Sequence, residues 1–431
     1  MQYRYWLLLS ILFLVIGCSP YRHINQTAQQ TVIQSKALQM AHVGISIYEP
    51  ATGKYWYNYQ GDKYFVPASN TKIPTTYAAM KYLGDSLVAA KYIIEDSAII
   101  LEAAGDPTFL HPDFKSQPLY DFLKETAFKS TRLFVKFAAE PLGSGWSWND
   151  FNATYMAERD PFPIYGNLVQ FTMNDSLTII PATFRNSIIG YPVPDKPWSV
   201  ERLLGDNVFM INNAEGTKDP VKSVPMKMGL GLYASVFLSD TLGKKVGMYP
   251  FPLEGNSKKF YSQPTDSLLK PLMHRSDNFF AEQTLLMVSN QLLGFMSDAK
   301  IIDTLLKTDF KDLPQTPRWV DGSGLSRYNL FTPQSFVAIL DKMQKEFGMA
   351  RLKEIFPAGN DGTLRNYYVS DSAFIWAKTG TLSGVVALSG YLLTKKDKLL
   401  LFSVLVNNHR ASATDVRRAV EQFLVGVREK Y

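Results

Sequence analysis

The sequence contains one cysteine, Cys18, among 431 residues, and only five histidines. A single cysteine excludes a disulfide within the chain and any metal site built on a pair of cysteines. The histidines are scattered, at positions 23, 42, 111, 274 and 409, and none of their spacings resembles a helical metal motif such as His-Glu-x-x-His. The sequence therefore predicts no metal site.

A large excess of one charge is also lacking. The chain has 45 Lys and Arg residues against 39 Asp and Glu, a net charge of +6, and no run of five basic residues. This small surplus argues against a dedicated nucleic-acid-binding protein and against intrinsic disorder. An apolar fraction of 46% is ordinary for a globular protein, and the length predicts two or three domains.

The N-terminus has an apolar run that is too short for a transmembrane helix. It extends from Trp6 to Gly17 and is interrupted only by Ser10, whereas a bilayer requires about 20 residues. Arg4 precedes the run and Cys18 follows it, which is typical of the core of an export signal. The segment resembles a bacterial lipoprotein signal, in which Cys18 receives a lipid; an ordinary secretory signal is the alternative. Both interpretations place the mature protein outside the cytoplasm.

The two ends of the chain have patterns that predict one shared sheet. Alternating apolar residues and turn residues predict strands, and a helical spacing of apolar residues predicts helices. The predicted strands are 42–48, 54–59, 385–393 and 399–406, and the predicted helices are 72–83, 279–293 and 413–427. Because both ends contribute hairpins, we expect an α/β (α+β) fold with an antiparallel sheet flanked by helices.

The middle of the chain has a different pattern. Many Pro and Gly turns separate short predicted strands at 133–137, 168–173 and 177–184, which indicates an inserted β-rich region. The sequence is therefore divided into a signal peptide at residues 1–18, a polar tether at residues 19–39, one discontinuous domain at residues 40–98 and 265–431, and the insert at residues 99–264.

The first candidate motif, Ser69-Asn70-Thr71-Lys72, opens a predicted helix. Residues three apart share a helix face, and an amine that is kept partly neutral can remove a proton from a hydroxyl group. The spacing alone is a weak indication, because Ser267-Leu-Leu-Lys270 and Ser297-Asp-Ala-Lys300 share it. Pro74 cannot donate a hydrogen bond to the carbonyl of residue 70, so we expect a tightened or kinked first turn.

The second candidate motif, Ser276-Asp277-Asn278, lies just before the predicted helix 279–293. It is also a good helix N-cap, and this structural role fits the pattern equally well. In a catalytic role Ser276 would relay a proton and the amide of Asn278 would hold a peptide group. Ser147-Trp148-Asn149 has the same Ser-x-Asn spacing, so the triplet by itself decides nothing.

The third candidate motif, Lys378-Thr379-Gly380-Thr381, ends an apolar stretch and precedes the predicted C-terminal hairpin. A lysine at the end of an apolar strand, next to Thr379, is suited to an anionic ligand. Gly380 lets a substrate backbone approach the edge of the strand. A solvated strand end is the alternative interpretation.

The three motifs in this order resemble those of the penicillin-recognising serine acyltransferases, which include penicillin-binding proteins and class A β-lactamases. Further segments are similar to the D-alanyl-D-alanine carboxypeptidase/endopeptidase family, the class C low-molecular-mass penicillin-binding proteins. They are Gly105-Asp106-Pro107-Thr108, Gly145-Trp146-Ser147-Trp148 and Trp319 through Asn329. The resemblance covers residues 40–428 and implies a penicillin-binding transpeptidase-like domain that acts outside the cytoplasm, in the periplasm, without a cofactor.

The resemblance also implies catalytic roles. Ser69 would attack the carbonyl of the penultimate D-alanine of a peptidoglycan stem peptide. Lys72 would act as general base, with its pKa lowered by burial and by the neighbouring cation of Lys378. Ser276 would pass a proton to the departing D-alanine.

Binding roles follow from the same resemblance. The substrate-binding residues would be Asn278, Lys378, Thr379 and Gly380. The backbone N–H groups of Ser69 and Thr381 would form the oxyanion hole. β-Lactams would acylate Ser69 covalently, and a lipid on Cys18 would be the contact with the membrane.

Two other functions share part of this pattern. A class A β-lactamase uses a deacylating glutamate between the second and third motifs, and no glutamate lies between Glu282 and Glu346. The 207 positions from Ser69 to Ser276 also require an insert that compact β-lactamases lack. The other alternative is a non-catalytic wall-binding lipoprotein of the same fold, although all three motifs have their reactive groups intact. The sequence leaves open the balance of carboxypeptidase and endopeptidase activity and the oligomeric state.

Overall fold

The computed structural model describes residues 20–125, 128–191, 193, 197–212, 220–253 and 255–431. The predicted signal peptide, with Cys18 and its lipidation, lies outside the described residues. Among the residues that are described, no helix is both long and apolar enough to cross a membrane.

The secondary structure comprises short strands in the middle of the chain and longer ones at its ends. The strands are β1 (His42–Glu49), β2 (Lys54–Tyr59), β3 (Ser86–Glu95), β4 (Ala98–Ala103), β5 (Ser130–Phe134), β6 (Leu168–Met173), β7 (Leu177–Ile180), β8 (Ile188–Gly190), β9 (Ser199–Arg202), β10 (Phe209–Asn212), β11 (Val221–Pro225), β12 (Val246–Met248), β13 (Lys258–Pro264), β14 (Ile375–Leu382), β15 (Val385–Leu393) and β16 (Leu399–Asn407). The helices are α1 (Pro20–Ala28), α2 (Lys72–Tyr82), α3 (Pro118–Glu125), α4 (Leu232–Leu242), α5 (Thr265–His274), α6 (Asn278–Leu293), α7 (Asp298–Lys307), α8 (Pro333–Ile355) and α9 (Ala413–Lys430).

One five-stranded antiparallel sheet combines the two ends of the chain, in the order β14-β15-β16-β1-β2. The first strand pairs with the last, from His42 opposite Asn407 to Tyr48 opposite Leu401. The predicted shared sheet is therefore confirmed. Its four predicted strands are also confirmed, because alternation and turn residues are local signals that remain visible in the sequence.

Helices cover both faces of this sheet. On one face Ile73 of α2 and Phe280 of α6 belong to the same core as Leu401. On the other face Phe423 of α9 belongs to the same core as Phe402. Because neither face meets water, β15 and β16 are nearly continuous apolar runs rather than alternating ones.

The middle of the chain forms the predicted β-rich insert. Its described residues form three further sheets, ordered β12-β5-β4-β3-β13, β11-β6-β7 and β8-β10-β9, around a core that includes Phe171, Phe209 and Phe237. The predicted strand 177–184 stops at Ile180, because Pro181 has no N–H for the ladder. The strand predicted at 133–137 lies at Ser130–Phe134.

The domain division at residue 99 stays a prediction, but one strand bears on where the insert begins. β3 pairs with β4 and β13, so it hydrogen-bonds within a sheet of the insert although it precedes residue 99. The insert's sheet structure thus starts at Ser86.

The predicted tether at residues 19–39 is wrong for residues 20–33. α1 continues into a π-helical segment, Gln29–Ile33, and together they pack on α9 and β2. Ile24, Ala28 and Val32 are fully buried. Their spacing of four places them on one face of the helix, and this apolar stripe outweighs the polar composition of the segment.

Candidate active site

Ser69 lies in a 3₁₀ turn, Ala68–Thr71, that leads directly into α2. Pro74 cannot donate to the carbonyl of Asn70, so the start of the helix is wound more tightly, as predicted. The half-buried Ser69 hydroxyl accepts a hydrogen bond from Lys72 Nζ at 3.1 Å. The turn therefore brings the candidate nucleophile and the candidate base into contact.

Lys72 is fully buried and its amine makes two further hydrogen bonds. It donates to Asn278 Oδ1 at 2.7 Å and to the Ser323 carbonyl at 2.8 Å. Burial lowers the pKa of Lys72 to about 8, because the charged amine loses its hydration. Three carboxylates act in the opposite direction and favour the protonated form, those of Asp321, Glu282 and Asp277.

The predicted cause of this shift is therefore right in one part and wrong in the other. Burial lowers the pKa of Lys72, as expected, but the charges that act on this amine are carboxylates. Burial lowers the pKa of Lys378 well below its ordinary value, and repulsion from Lys72 and Arg417 lowers it further. The carboxylates beside Lys72 limit the fall in its pKa.

The second motif caps a helix and also lies at the candidate site. Asp277 is the N-cap of α6 and accepts a hydrogen bond from the Phe280 N–H at 3.0 Å. The residues on either side face the candidate site: Asn278 contacts Lys72, and Ser276 Oγ accepts a hydrogen bond from Lys378 Nζ at 2.9 Å. Ser276 has a left-handed backbone, with φ of 62°.

The third motif lies on β14, at the edge of the main sheet. Lys378 is fully buried, and its amine also donates to the Thr379 carbonyl at 2.8 Å. A Cβ atom on Gly380 would lie 2.7 Å from the Pro67 carbonyl oxygen and 3.0 Å from the Ser69 backbone nitrogen. Only glycine therefore lets β14 lie this close to the turn that carries Ser69.

The three motifs meet in one cleft with a volume of about 840 Å³. The motif residues that line it are Ser69, Ser276, Asn278 and Thr381. Residues of the insert also line it, including Asp150 and Tyr155, so the cleft lies between the main domain and the insert. In the described part of the chain, no group of three or more His, Cys, Asp or Glu side chains could hold a metal ion.

The other serine–lysine pairs of the same spacing have structural roles. Ser267 is exposed on α5, and Lys270 lies 4.0 Å from Glu354 as a surface ion pair. Ser297 is the N-cap of α7 and accepts a hydrogen bond from the Lys300 N–H. Tertiary structure thus distinguishes one Ser-x-x-Lys motif from two that only share its spacing.

Sequence reasoning missed several residues that support the site. Asp321 is fully buried and accepts a hydrogen bond from Trp146 Nε1 at 2.9 Å. Both lie in segments that carried the family resemblance, which was the one available signal. Arg417 of α9 donates to Thr381 Oγ1 at 2.6 Å, and nothing in its local sequence marks it.

Several known proteins are similar to this chain. D-alanyl-D-alanine carboxypeptidase DacB of Haemophilus influenzae is 24% identical over 407 residues, 82% of this chain and 82% of the relative. D-alanyl-D-alanine carboxypeptidase of Actinomadura sp. is 24% identical over 443 residues, 89% of this chain and 80% of the relative. The crystal structure of penicillin-binding protein 4 from Haemophilus influenzae has a TM-score of 0.73 at 22% identity, over 93% of this chain and 97% of that chain. The structural likeness confirms the predicted fold.

The family model matches most of the chain. The model of the D-Ala-D-Ala carboxypeptidase 3 (S13) family matches residues 25–181 and 257–427, and the stretch between them falls within the β-rich insert. The family that the three motifs predicted is thereby confirmed. The chain belongs to the D-Ala-D-Ala carboxypeptidase 3 (S13) family, and it is a carboxypeptidase-type hydrolase.

Proposed function

We propose that this protein cleaves D-Ala-D-Ala peptide bonds in peptidoglycan stem peptides through an acyl-enzyme on Ser69. The contact of Lys72 Nζ with Ser69 Oγ, at 3.1 Å, carries the proposal. Burial lowers the pKa of that lysine to about 8, so a useful fraction of the amine is neutral near pH 7 and can accept a hydroxyl proton. The names of the two carboxypeptidase relatives support the same substrate class.

In the first step Lys72 takes the proton of the Ser69 hydroxyl, and Ser69 Oγ bonds to the carbonyl carbon of the penultimate D-alanine. The carbonyl oxygen becomes negatively charged. The backbone N–H groups of Ser69 and Thr381 stabilise this charge, and one such donor typically lowers the barrier by about 3–4 kcal/mol. The close approach of Gly380 to the Ser69 nitrogen supports this arrangement.

In the second step the C–N bond breaks and the D-alanine amine leaves. Ser276 Oγ gives this amine a proton, and Lys378, whose Nζ donates to the same oxygen at 2.9 Å, replaces it. Asn278 holds the peptide, and Lys378 and Thr379 bind the terminal carboxylate.

The departing amine carries away the proton that Lys72 holds, so Lys72 is neutral again. Lys72 then takes a proton from water as the water oxygen bonds to the acyl carbon, and it returns this proton to Ser69 Oγ when the ester bond breaks. The carboxylic acid that is released gives its proton to Lys378.

A β-lactam would react at the same serine, because its ring amide presents an equivalent carbonyl carbon. The acyl-enzyme formed in this way would persist. Penicillin-binding protein 4 of Haemophilus influenzae has a solved complex with a β-lactam, and this supports the proposal for the present chain.

We also propose that the protein acts in the periplasm and is anchored by a lipid on Cys18. Peptidoglycan, the proposed substrate, lies outside the cytoplasm, and the apolar run before Cys18 supports export. Metabolic labelling with a radioactive fatty acid tests the anchor. The label should enter the wild type and not Cys18→Ser, and equal labelling of the two would contradict the anchor.

The β-lactamase alternative requires a glutamate that activates water next to Ser69. Glu282 follows the second motif, but it is buried and its Oε1 accepts the Ser323 N–H at 2.8 Å. Its other oxygen lies 3.4 Å from Arg159. These contacts occupy both oxygens and disfavour a role for Glu282 in deacylation.

A fluorescent penicillin tests the proposal. Wild type and Ser267→Ala, which alters an exposed serine of the same Ser-x-x-Lys spacing, should be labelled stoichiometrically, and Ser69→Ala should stay dark. If neither wild type nor Ser69→Ala is labelled, the result would support the non-catalytic lipoprotein. Rapid, repeated hydrolysis of the penicillin would support the β-lactamase.

Purified muropeptides separate the two peptidase activities. A carboxypeptidase removes one residue from pentapeptides, whereas an endopeptidase converts cross-linked dimers into monomers. We expect at least one of these products with wild type and neither with Ser69→Ala.

A further inference from the structure

Two buried carboxylates hold the loop that contacts Lys72. The carbonyl of Ser323 accepts a hydrogen bond from Lys72 Nζ at 2.8 Å, and the N–H of the same residue donates to Glu282 Oε1 at 2.8 Å. Asp321 accepts the Gly324 N–H at 2.8 Å. Glu282 and Asp321 have 1% and 0% of their surface exposed, so their contacts with the loop are shielded from water.

The insert supplies one further partner to each carboxylate. Arg159 Nη1 lies 3.4 Å from Glu282 Oε2 and 2.5 Å from Asp298 Oδ2, and Trp146 Nε1 donates to Asp321 Oδ2 at 2.9 Å. A buried charge without a partner is strongly destabilising. The cation from the insert therefore allows a carboxylate to be buried this close to the proposed base.

We propose that Glu282 is a positioning residue for Lys72: it fixes the Ser323 carbonyl that receives the amine's hydrogen bond, and its negative charge favours the protonated amine. The charge of Arg159, from the insert, favours the ionised form of Glu282. The proposal rests on the role of Lys72 as general base given above.

The charges that surround these groups are consistent with this role. Lys72 faces the carboxylates of Asp321, Glu282 and Asp277 and the second amine, that of Lys378. Glu282 itself faces Asp321, Asp298 and Arg159, and burial raises its pKa to about 7. Above this pH the carboxylate is charged, so it opposes loss of the proton from Lys72 in the range where Lys72 titrates.

Glu282→Gln tests the proposal, because it keeps an oxygen that can accept the Ser323 N–H but removes the charge. The rate of acylation by a penicillin should rise with pH in both enzymes. The midpoint for Glu282→Gln should lie lower than that of wild type, by roughly half a unit to one unit, because an amine that loses a nearby opposite charge has a lower pKa. Asp298→Asn is the matched control, because it neutralises the other carboxylate that contacts Arg159. Asp298 does not act directly on Lys72, so the midpoint for this variant should equal that of wild type.

A midpoint that stays unchanged in Glu282→Gln while all rates fall would overturn the proposal, since it would show a merely structural role. If Glu282→Gln does not fold, Glu282→Asp serves as the second variant, because it keeps the charge but withdraws it from the Ser323 N–H. Its midpoint should match wild type while its maximal rate falls, and a shifted midpoint or an unchanged rate would contradict the proposal. A wild type that is not acylated at all would instead overturn the proposed function.

Discussion

Lys378 Nζ lies 2.9 Å from Ser276 Oγ, although 102 positions separate the two residues in the chain. Beside this pair, Lys72 Nζ lies 3.1 Å from Ser69 Oγ. The cleft thus contains two amine–hydroxyl pairs. In the proposed mechanism one pair activates the nucleophile, and the other protonates the leaving group.

Removing the second hydroxyl should slow catalysis without preventing substrate binding. Ser276→Ala deletes the oxygen that would give the leaving amine its proton, and a positioned proton donor typically accelerates such a step by about 10²–10⁴-fold. We expect kcat for a D-Ala-D-Ala peptide to fall by about this factor while KM changes little, measured by release of D-alanine. A rise in KM with kcat unchanged would instead assign Ser276 to binding.

Acylation should depend on pH through Lys72. The pKa of this lysine is lowered to about 8, below its ordinary value, and only the neutral amine accepts the Ser69 proton. The rate of acylation should therefore rise with pH to a plateau, with a midpoint of about 8, in stopped-flow measurements with a chromogenic β-lactam. Circular dichroism at each pH controls for unfolding, and a rate that is flat from about pH 6 to 9 would argue against Lys72 as base.

Arg417 should contribute to recognition of a terminal carboxylate. Its guanidinium donates to Thr381 Oγ1 at 2.6 Å, beside the cleft, and hydrogen bonds to charged groups contribute about 1.5–3 kcal/mol. Arg417→Gln should raise KM roughly tenfold or more for a peptide with a free carboxylate, and leave KM unchanged for the C-terminal amide. Arg418→Gln is the control, because Arg418 pairs with Glu421. Equal effects of the two substitutions would refute the assignment.

Gly324→Ala should damage the site specifically. A Cβ atom there would lie 1.9 Å from the Ala68 carbonyl oxygen, and φ is +83°. Gly294→Ala is matched in backbone, with φ of +75° and nothing within 4 Å of the added atom. Gly294→Ala should lose about 1–2 kcal/mol of unfolding free energy through backbone strain. Gly324→Ala should lose more, because its Cβ atom also overlaps the backbone of Ala68, and only this variant should lose penicillin acylation. Normal acylation by Gly324→Ala would show that the turn before Ser69 can shift without consequence.

The N-terminal helix should be docked by its apolar stripe. Ile24→Ala leaves a cavity at a fully buried position, and such truncations cost about 2–5 kcal/mol. We expect faster proteolysis of residues 20–33 with acylation unchanged. The exposed Gln26 of the same helix provides the control, and Gln26→Ala should be as resistant as wild type. Equal resistance of Ile24→Ala would indicate that the segment is not held by these contacts.

Local patterns explain which parts of the fold were predictable. The strands of the main sheet and α2, α6 and α9 were predicted because apolar periodicity and turn residues act over a few positions. The segment before His42 was misjudged, because the three apolar residues that dock it are separated by polar ones. The strand that begins at Leu177 was predicted too long. It ends at Ile180, because Pro181 has no N–H to continue the hydrogen-bonded ladder.

The sequence by itself determined the family, the shared antiparallel sheet and the three motifs, since each is written in neighbouring residues. Only the tertiary structure decided which Ser-x-x-Lys pair lies in a cleft, and that Glu282, Asp321 and Arg417 surround it. These contacts join positions far apart in the chain, and packing of the helices on one another and on the sheet within the main domain, rather than any local preference, brings them together. Burial of Lys72, which lowers its pKa, is likewise a property of that packing.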